Sequence, residues 1–155
     1  MIGREHLISL SSRWHDKGKK IVLANGLFDI LHVGHIRYLR EARNYGDILL
    51  VAINSDKSVR ALRGEKKPII NEQDRAYLVS GLEMVDYVTI FDETSVENIL
   101  RIVKPHVHAK GTDYTKDNVP EKELAKELGI EIIIAGDEKN HATTDIIEYI
   151  VRNFC

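Results

Sequence analysis

The sequence contains a single cysteine, Cys155, and no long apolar run. One cysteine excludes an internal disulfide and any Cys-x-x-Cys metal or redox site. The apolar stretches are far shorter than the roughly 20 residues that a membrane-spanning helix needs, and the first residues lack the apolar segment of a secretory signal. We therefore expect a soluble, cytoplasmic protein that has no membrane partner.

An excess of positive charge is also missing. The 22 Lys and Arg side chains stand against 24 Asp and Glu side chains, which gives a formal net charge of -2. Nucleic acid is therefore not an expected partner, because it is recognised through a basic surface. With 155 residues, 43% hydrophobic and 30% charged, the chain is expected to form one globular domain, residues 1–155.

Short β-branched runs alternate with longer helical patterns, which is typical of parallel βαβ units. The fold class is therefore predicted as α/β, a Rossmann-like doubly wound sheet of five parallel strands whose ligands bind beyond the carboxyl ends of the strands. The charged segment 57–68 is predicted to be a mobile loop. The predicted strands are 20–24, 47–54, 87–91, 106–110 and 131–135, and the predicted helices are 5–17, 34–44, 71–82, 95–103, 121–128 and 143–153.

The most informative stretch, residues 25–35, directly follows the first predicted strand and reads Asn-Gly-Leu-Phe-Asp-Ile-Leu-His-Val-Gly-His. It is neither a dinucleotide fingerprint nor a Walker-type loop. His32 and His35 lie about one turn apart at the start of a helix, where backbone N–H groups and the helix dipole favour an anion. Gly34 lets a ligand approach the backbone, and the carboxylate of Asp29 could hold a metal ion or orient a second substrate. The stretch predicts a phosphate-binding site.

The pattern Gly-x-Phe-Asp-x-x-His-x-Gly-His at 26–35 is similar to the signature of the cytidylyltransferase-like nucleotidyltransferases, whose His-x-Gly-His element binds a nucleoside triphosphate. The resemblance runs from about residue 20 to the C-terminus. It is strongest to the group that makes ADP-heptose from heptose 1-phosphate and ATP. The segments that carry it are 37–43, 46–60, 74–76, 85–86, 91–93, 110–115 and 142–144.

This resemblance implies an enzyme of carbohydrate metabolism that supplies a precursor of lipopolysaccharide or another surface polysaccharide. The enzyme would transfer AMP from ATP to D-glycero-D-manno-heptose 1-phosphate by in-line attack and release pyrophosphate. Mg²⁺ is the implied cofactor, and the implied partners are the sugar phosphate, ATP and a second copy of the chain. Because many relatives carry this domain fused behind a sugar kinase, the resemblance also implies that a separate kinase makes the acceptor.

Residue by residue, the resemblance implies three groups of site residues. The catalytic group is His32, His35, Lys67 and Arg75. The acceptor-binding group is Asp29, Asn54 and Asp56, and no set of metal ligands is predicted. The nucleotide-binding group is Gly26, Phe28, His32, Gly34, His35, Lys110, Gly111, Asp113, Thr143 and Thr144.

One segment departs from the pattern of the group. Ala142-Thr143-Thr144-Asp145 stands where relatives usually carry Ser-Thr-Thr, or Ser-Ser-Thr with a basic residue one turn later. The chain thus loses one hydroxyl and gains an acid, for which Lys139 is expected to compensate. Three alternatives stay open: a CTP-dependent cytidylyltransferase for glycerol 3-phosphate or a related alcohol phosphate, an FAD synthetase of the archaeal type, and a non-catalytic nucleotide-binding module.

Histidines outside the motif have simpler expected roles. His106 and His108 alternate on the fourth predicted strand and are expected to be a packed or surface pair. His141 lies beside the expected phosphate site at the start of the last helix.

Overall fold

A computed structural model of the chain describes residues 1–137 and 142–155. The strands are β1 (Ile21–Gly26), β2 (Ile48–Asn54), β3 (Tyr87–Phe91), β4 (Val107–Gly111) and β5 (Glu131–Ala135). The helices are α1 (Arg4–Asp16), α2 (Val33–Arg43), α3 (Asp56–Arg63), α4 (Glu72–Ser80), α5 (Glu97–Val103), α6 (Lys122–Leu128) and α7 (Thr143–Phe154). Every predicted strand and helix is present, and the ends agree within two residues.

The strands form one parallel sheet in the order β3-β2-β1-β4-β5. In the register, Ile21 pairs with Ile48 on β2, and Val22 pairs with Val107 on β4. The chain moves outward through β2 and β3 and then crosses back to β4, so the strand order reverses beside β1. This α/β architecture confirms the predicted fold class, and it places the expected ligand site at the carboxyl ends of β1 and β4.

Helices cover both faces of the sheet, which is why the strands are almost continuously apolar. On one face, Val22 and neighbouring strand residues pack against Leu39 of α2 and Val79 of α4. On the other face, Leu23 lies in a cluster with Leu100 of α5. The two cores hold the strands rigidly, so the loops at the carboxyl ends start from fixed points.

Segment 57–68, predicted to be a mobile loop, is largely helical, because α3 occupies Asp56–Arg63. The Ser55 hydroxyl accepts a hydrogen bond from the backbone N–H of Ser58 at 3.2 Å and so caps the helix. Val59 is buried, whereas the charged residues of α3 lie mostly outside the core. The prediction was wrong because it read a dense run of charge as a loop and overlooked the serine cap.

The described helices include none that is both long enough and apolar enough to cross a membrane.

Candidate active site

A cavity of about 500 Å³ lies at the carboxyl ends of β1, β4 and β5. Its wall is built by the loop after β1, the starts of α2 and α7, the loops after β4 and β5, and part of the segment between α3 and α4. Most of the residues that the sequence assigned to ligand binding meet here, although they are far apart in the chain. The topology therefore brings the predicted phosphate-binding elements to one place.

Gly26 and Phe28 act together in the loop after β1. Phe28 has a positive φ of 51° and is 3% exposed, and its ring folds back over Gly26. A Cβ atom on Gly26 would lie 3.0 Å from Cε2 of that ring. Phe28 lines the cavity, while Gly26 lies behind it and provides the room that the ring needs.

His32 and His35 form the wall at the start of α2. Nδ1 of His32 accepts a hydrogen bond from the backbone N–H of Gly34 at 3.2 Å. Nδ1 of His35 accepts one from the backbone N–H of His32 at 3.3 Å. A neutral imidazole that accepts at Nδ1 carries its proton on Nε2. The two rings, with centroids 3.9 Å apart, therefore present neighbouring Nε2–H donors in their neutral forms.

His35 is neutral at physiological pH. Burial, with a smaller contribution from the charge of His32, lowers the pKa of His35 to about 4. Phe28 provides part of its surroundings, with the two ring centroids 5.1 Å apart. His35 thus offers a hydrogen bond rather than a positive charge, and it does not repel its neighbour.

Asp29 and Lys67 lie next to each other on the wall. Asp29 is buried, and its Oδ1 accepts hydrogen bonds from the backbone N–H groups of Ile69 and Ile70 at 2.8 and 2.9 Å. The ammonium nitrogen of Lys67 lies 3.6 Å from Asp29 Oδ2. Asp29 is therefore bound to the segment between α3 and α4.

Arg75 does not line the cavity and is completely buried behind it. Its guanidinium donates to the backbone carbonyls of Leu27, Asn54 and Ile70 at 2.6 to 2.9 Å and pairs with Asp56 at 2.7 Å. The structure thus brings together three predicted site residues, Arg75, Asn54 and Asp56. They bind one another behind the cavity rather than lining its wall. Their contact with a substrate stays a prediction.

The loop after β4 divides its predicted residues between the wall and the interior. Gly111 and Asp113 line the cavity. Lys110 is buried away from it, with its ammonium nitrogen 3.4 Å from Glu121 Oε2 and 4.5 Å from the centre of the Tyr114 ring. The side chain of Lys110 therefore supports the loop from behind, and nucleotide binding by this residue stays a prediction.

His106 and His108 separate into one exposed and one buried side chain. Nδ1 of His106 accepts the backbone N–H of Ile21 at the amino end of the sheet. His108 is fully buried, and its Nε2 lies 2.9 Å from the side-chain oxygen of Asn25. Burial, helped by the charge of Lys110, lowers the pKa of His108 to about 3. The prediction of a packed or surface pair is therefore wrong, because His106 precedes β4 and is exposed whereas His108 lies on the strand and is buried.

Thr143 and Thr144 line the cavity at the start of α7. The side chain of Asp145 accepts a hydrogen bond from the backbone N–H of Ala142 at 2.9 Å. Asp145, the acid that departs from the pattern described above, therefore caps the start of α7. Lys139 and His141, which were expected beside this site, lie outside the described residues.

The cavity also contains residues that the sequence reasoning missed. Arg63 lies on the wall at the end of α3 and was overlooked because that helix was read as a loop. Tyr38 lies on the wall, donates its hydroxyl to the carbonyl of Ala109 at 2.7 Å, and has its pKa raised by burial. Asp137 lines the wall and forms an ion pair with Arg37. Arg63 is thus a second cation on the wall, in addition to Lys67.

The described residues do not form a protein-built metal centre. In residues 1–137 and 142–155, no group of three or more His, Cys, Asp or Glu side chains could hold a metal ion. On the wall, Asp29 binds backbone N–H groups and Asp137 binds Arg37. Mg²⁺ is usually bound through one or two carboxylates together with substrate phosphates. Three carboxylates, those of Asp29, Asp113 and Asp137, line this wall, and Oδ2 of Asp29 has no hydrogen bond among the described residues. The implied Mg²⁺ stays a prediction.

Comparisons with known proteins agree with this geometry. The sequence model described as cytidylyltransferase-like matches residues 23–150. The chain is 46% identical over 149 residues to the bifunctional protein HldE of Aliarcobacter butzleri, covering 96% of this chain and 30% of that protein. It is 44% identical over 138 residues to HldE of Geobacter metallireducens, covering 89% and 28%. The chain thus spans less than a third of the length of these curated relatives.

Two solved structures show the same fold. The lipopolysaccharide core biosynthesis protein of Thermoplasma volcanium has a TM-score of 0.67 and 32% identity, covering 79% of this chain and 100% of that one. Pantoate-beta-alanine ligase of Francisella tularensis, solved with beta-gamma ATP and beta-alanine, has a TM-score of 0.67 and 19% identity, covering 99% and 80%. This second likeness shows the fold alone. Together with the family match, the first confirms the resemblance read from the histidine motif: the chain belongs to the cytidylyltransferase-like family.

Proposed function

We propose that this chain is a nucleotidyltransferase that transfers AMP from ATP to D-glycero-D-manno-heptose 1-phosphate and releases pyrophosphate. The observation that carries the proposal is the pair of histidines at the start of α2, with an Nδ1 acceptor on each ring, in the same cavity as the start of α7. Both helix starts suit phosphate groups. Family membership and the HldE relatives support a transferase enzyme.

The reaction needs no nucleophilic side chain. A phosphate oxygen of the acceptor attacks the α-phosphorus of ATP, a new P–O bond forms, and the bond to the leaving pyrophosphate breaks. The second pKa of a phosphate monoester is about 6, so the acceptor is largely dianionic at neutral pH and needs no strong base. The protein must hold two polyanions in line and balance the charge that moves during transfer.

The wall residues match these tasks. The Nε2–H groups of His32 and His35 would donate to phosphate oxygens of the nucleotide, as preorganised donors do in other phosphoryl-transfer sites. The hydroxyls of Thr143 and Thr144, with the backbone N–H groups of α7, would hold further oxygens. Lys67 would meet the acceptor phosphate, because its ammonium group is a flexible point charge on the wall.

The choice of acceptor rests on similarity. The chain resembles the group that makes ADP-heptose, and its match to HldE covers 96% of its length. The Thermoplasma relative is named for lipopolysaccharide core biosynthesis, which agrees with a sugar phosphate acceptor. The homodimer, the separate kinase and the single domain remain predictions.

Pyrophosphate release with matched substrate pairs tests the proposal. ATP and CTP are each combined with heptose 1-phosphate, glycerol 3-phosphate and FMN. We expect turnover with ATP and heptose 1-phosphate, and little with the other pairs. Turnover with CTP and glycerol 3-phosphate would replace the proposal with the cytidylyltransferase alternative. Retained ATP binding without release from any pair would leave a nucleotide-binding module.

A further inference from the structure

The segment between α3 and α4 carries Lys67 to the cavity and is fastened to the protein at its far end. Asp29 Oδ1 accepts the backbone N–H groups of Ile69 and Ile70 at 2.8 and 2.9 Å. Arg75 donates its Nε–H to the carbonyl of Ile70 at 2.9 Å. These contacts fix the backbone two and three residues after Lys67, so they determine where the lysine side chain starts.

The second oxygen of the same carboxylate faces the lysine itself. Asp29 Oδ2 is buried, and among the described residues it has no hydrogen-bond partner. The ammonium nitrogen of Lys67 lies 3.6 Å away, which is an ion pair but longer than a hydrogen bond. A buried carboxylate oxygen without a hydrogen bond is costly, and the cost falls here because a cation stands close to it.

The two parts of this pair differ in exposure. The side chain of Asp29 is 8% exposed and that of Lys67 is 30% exposed. The aspartate is therefore fixed, while the lysine has room to move on the wall of the cavity. A dianionic phosphate offers more charge than one carboxylate and more oxygens to bind.

We propose that Asp29 is a positioning residue, an assignment that rests on the proposed function. Its Oδ1 fixes the backbone at Ile69 and Ile70, and its Oδ2 keeps the ammonium group of Lys67 at the wall. When the acceptor phosphate enters the cavity, Lys67 leaves Asp29 and pairs with the phosphate. Asp29 itself contacts neither a metal ion nor the reacting groups.

Two variants of Asp29 separate its tasks. In Asp29→Asn, the side-chain carbonyl still accepts from Ile69 and Ile70, but the charge that holds Lys67 is lost. In Asp29→Ala, both tasks are lost. Hydrogen exchange at the Ile69 and Ile70 amides reads the first task without any turnover. We expect exchange at wild-type rates in Asp29→Asn and at least about tenfold faster exchange in Asp29→Ala, since two hydrogen bonds are removed.

A double-mutant cycle with Lys67→Met reads the second task. We expect Asp29→Asn to raise the KM for the acceptor about tenfold with a smaller change in kcat, and to change KM less than twofold once Lys67 is methionine. Asp29→Ala should still be impaired in that background, because the backbone is released. Lys66→Met, at the exposed neighbouring position, is the matched control and should behave like the wild type.

Each outcome decides one part of the proposal. Unchanged amide exchange in Asp29→Ala would overturn the backbone task. Equal losses from Asp29→Asn with and without Lys67 would overturn the lysine task and point to direct contact with substrate or metal. A wild-type protein that turns over none of the substrate pairs would overturn the proposed function and the lysine task together. The amide exchange would still test the backbone task on its own.

Discussion

Replacing His35 with either of two amides tests the role of each ring nitrogen. In His35→Asn, the amide oxygen lies near the place of Nδ1 and can still accept the N–H of His32, but nothing replaces Nε2. In His35→Gln, the longer side chain carries its NH₂ group near the place of Nε2, and the Nδ1 acceptor is lost. If Nε2–H is the group that binds phosphate, the glutamine variant keeps more activity.

The structure gives the two losses different sizes. The hydrogen bond from His32 N–H to His35 Nδ1 is long, 3.3 Å, so its loss should cost at most about 1 kcal/mol of stability. Loss of a donor that stabilises charge in the transition state typically lowers kcat by about 10²- to 10³-fold. We therefore expect His35→Asn to be nearly as stable as wild type but at least a hundredfold slower. His35→Gln should be slightly less stable and about tenfold slower.

Pyrophosphate release gives kcat, and thermal unfolding gives the stability of the same preparations. An asparagine variant more active than the glutamine variant would refute the assignment of Nε2–H as the donor. The pH profile adds a second check. Because the pKa of His35 is lowered to about 4, its ring stays neutral from pH 6 to 8. The wild type and His35→Asn should therefore show the same dependence of kcat on pH in that range.

Three further predictions concern stability. His108 has a folded-state pKa of about 3 against about 6.5 unfolded, so its contribution is complete above pH 6.5 and is lost as the pH falls toward 3; urea unfolding should show a loss of about 2 kcal/mol between pH 6.5 and 5 that is absent in His108→Gln. Asp145→Ala removes the bond to the Ala142 N–H and should speed amide hydrogen exchange in α7 about fivefold, the effect of about 1 kcal/mol, with little change in Tm because α7 has no buried residue. Arg75→Met leaves three backbone carbonyls and Asp56 without their partner and should cost about 3–5 kcal/mol in urea unfolding, whereas an unchanged midpoint would contradict the structural role.

The sequence predicted the sheet well because its strands are buried on both faces. A run such as residues 48–53 is apolar throughout, and such a run between helical patterns has few other interpretations. The place of His32, Gly34 and His35 on one wall of the cavity was also predictable, since these residues and the start of α2 are neighbours in the chain; phosphate binding there stays a prediction. Local pattern was sufficient wherever the partners are local.

The contacts of buried cations could not be predicted in the same way. Arg75 and Lys110 were assigned to substrates because both follow the expected motifs. Their partners, Asp56 for Arg75 and Glu121 for Lys110, are 19 and 11 residues away. The pairing of acidic and basic side chains depends on how the loops fold over the sheet. The periodicity of the sequence does not indicate it. Arg63 was missed for a different reason: the charged segment that forms α3 was interpreted as a loop.

The two helix starts that line the cavity differ in how firmly their helices are attached. Helix α2 buries Tyr38, Leu39 and Ala42, whereas α7 has no buried residue. Local opening costs least where few apolar contacts must be broken. The part of the wall formed by His32 and His35 at the start of α2 therefore shares the global stability of the sheet. The part formed by Thr143 and Thr144 at the start of α7 can detach at a lower free-energy cost. A triphosphate that contacts the starts of both α2 and α7 would stabilise the docked position of α7. Its observed affinity would be lower by the free energy needed to dock that helix.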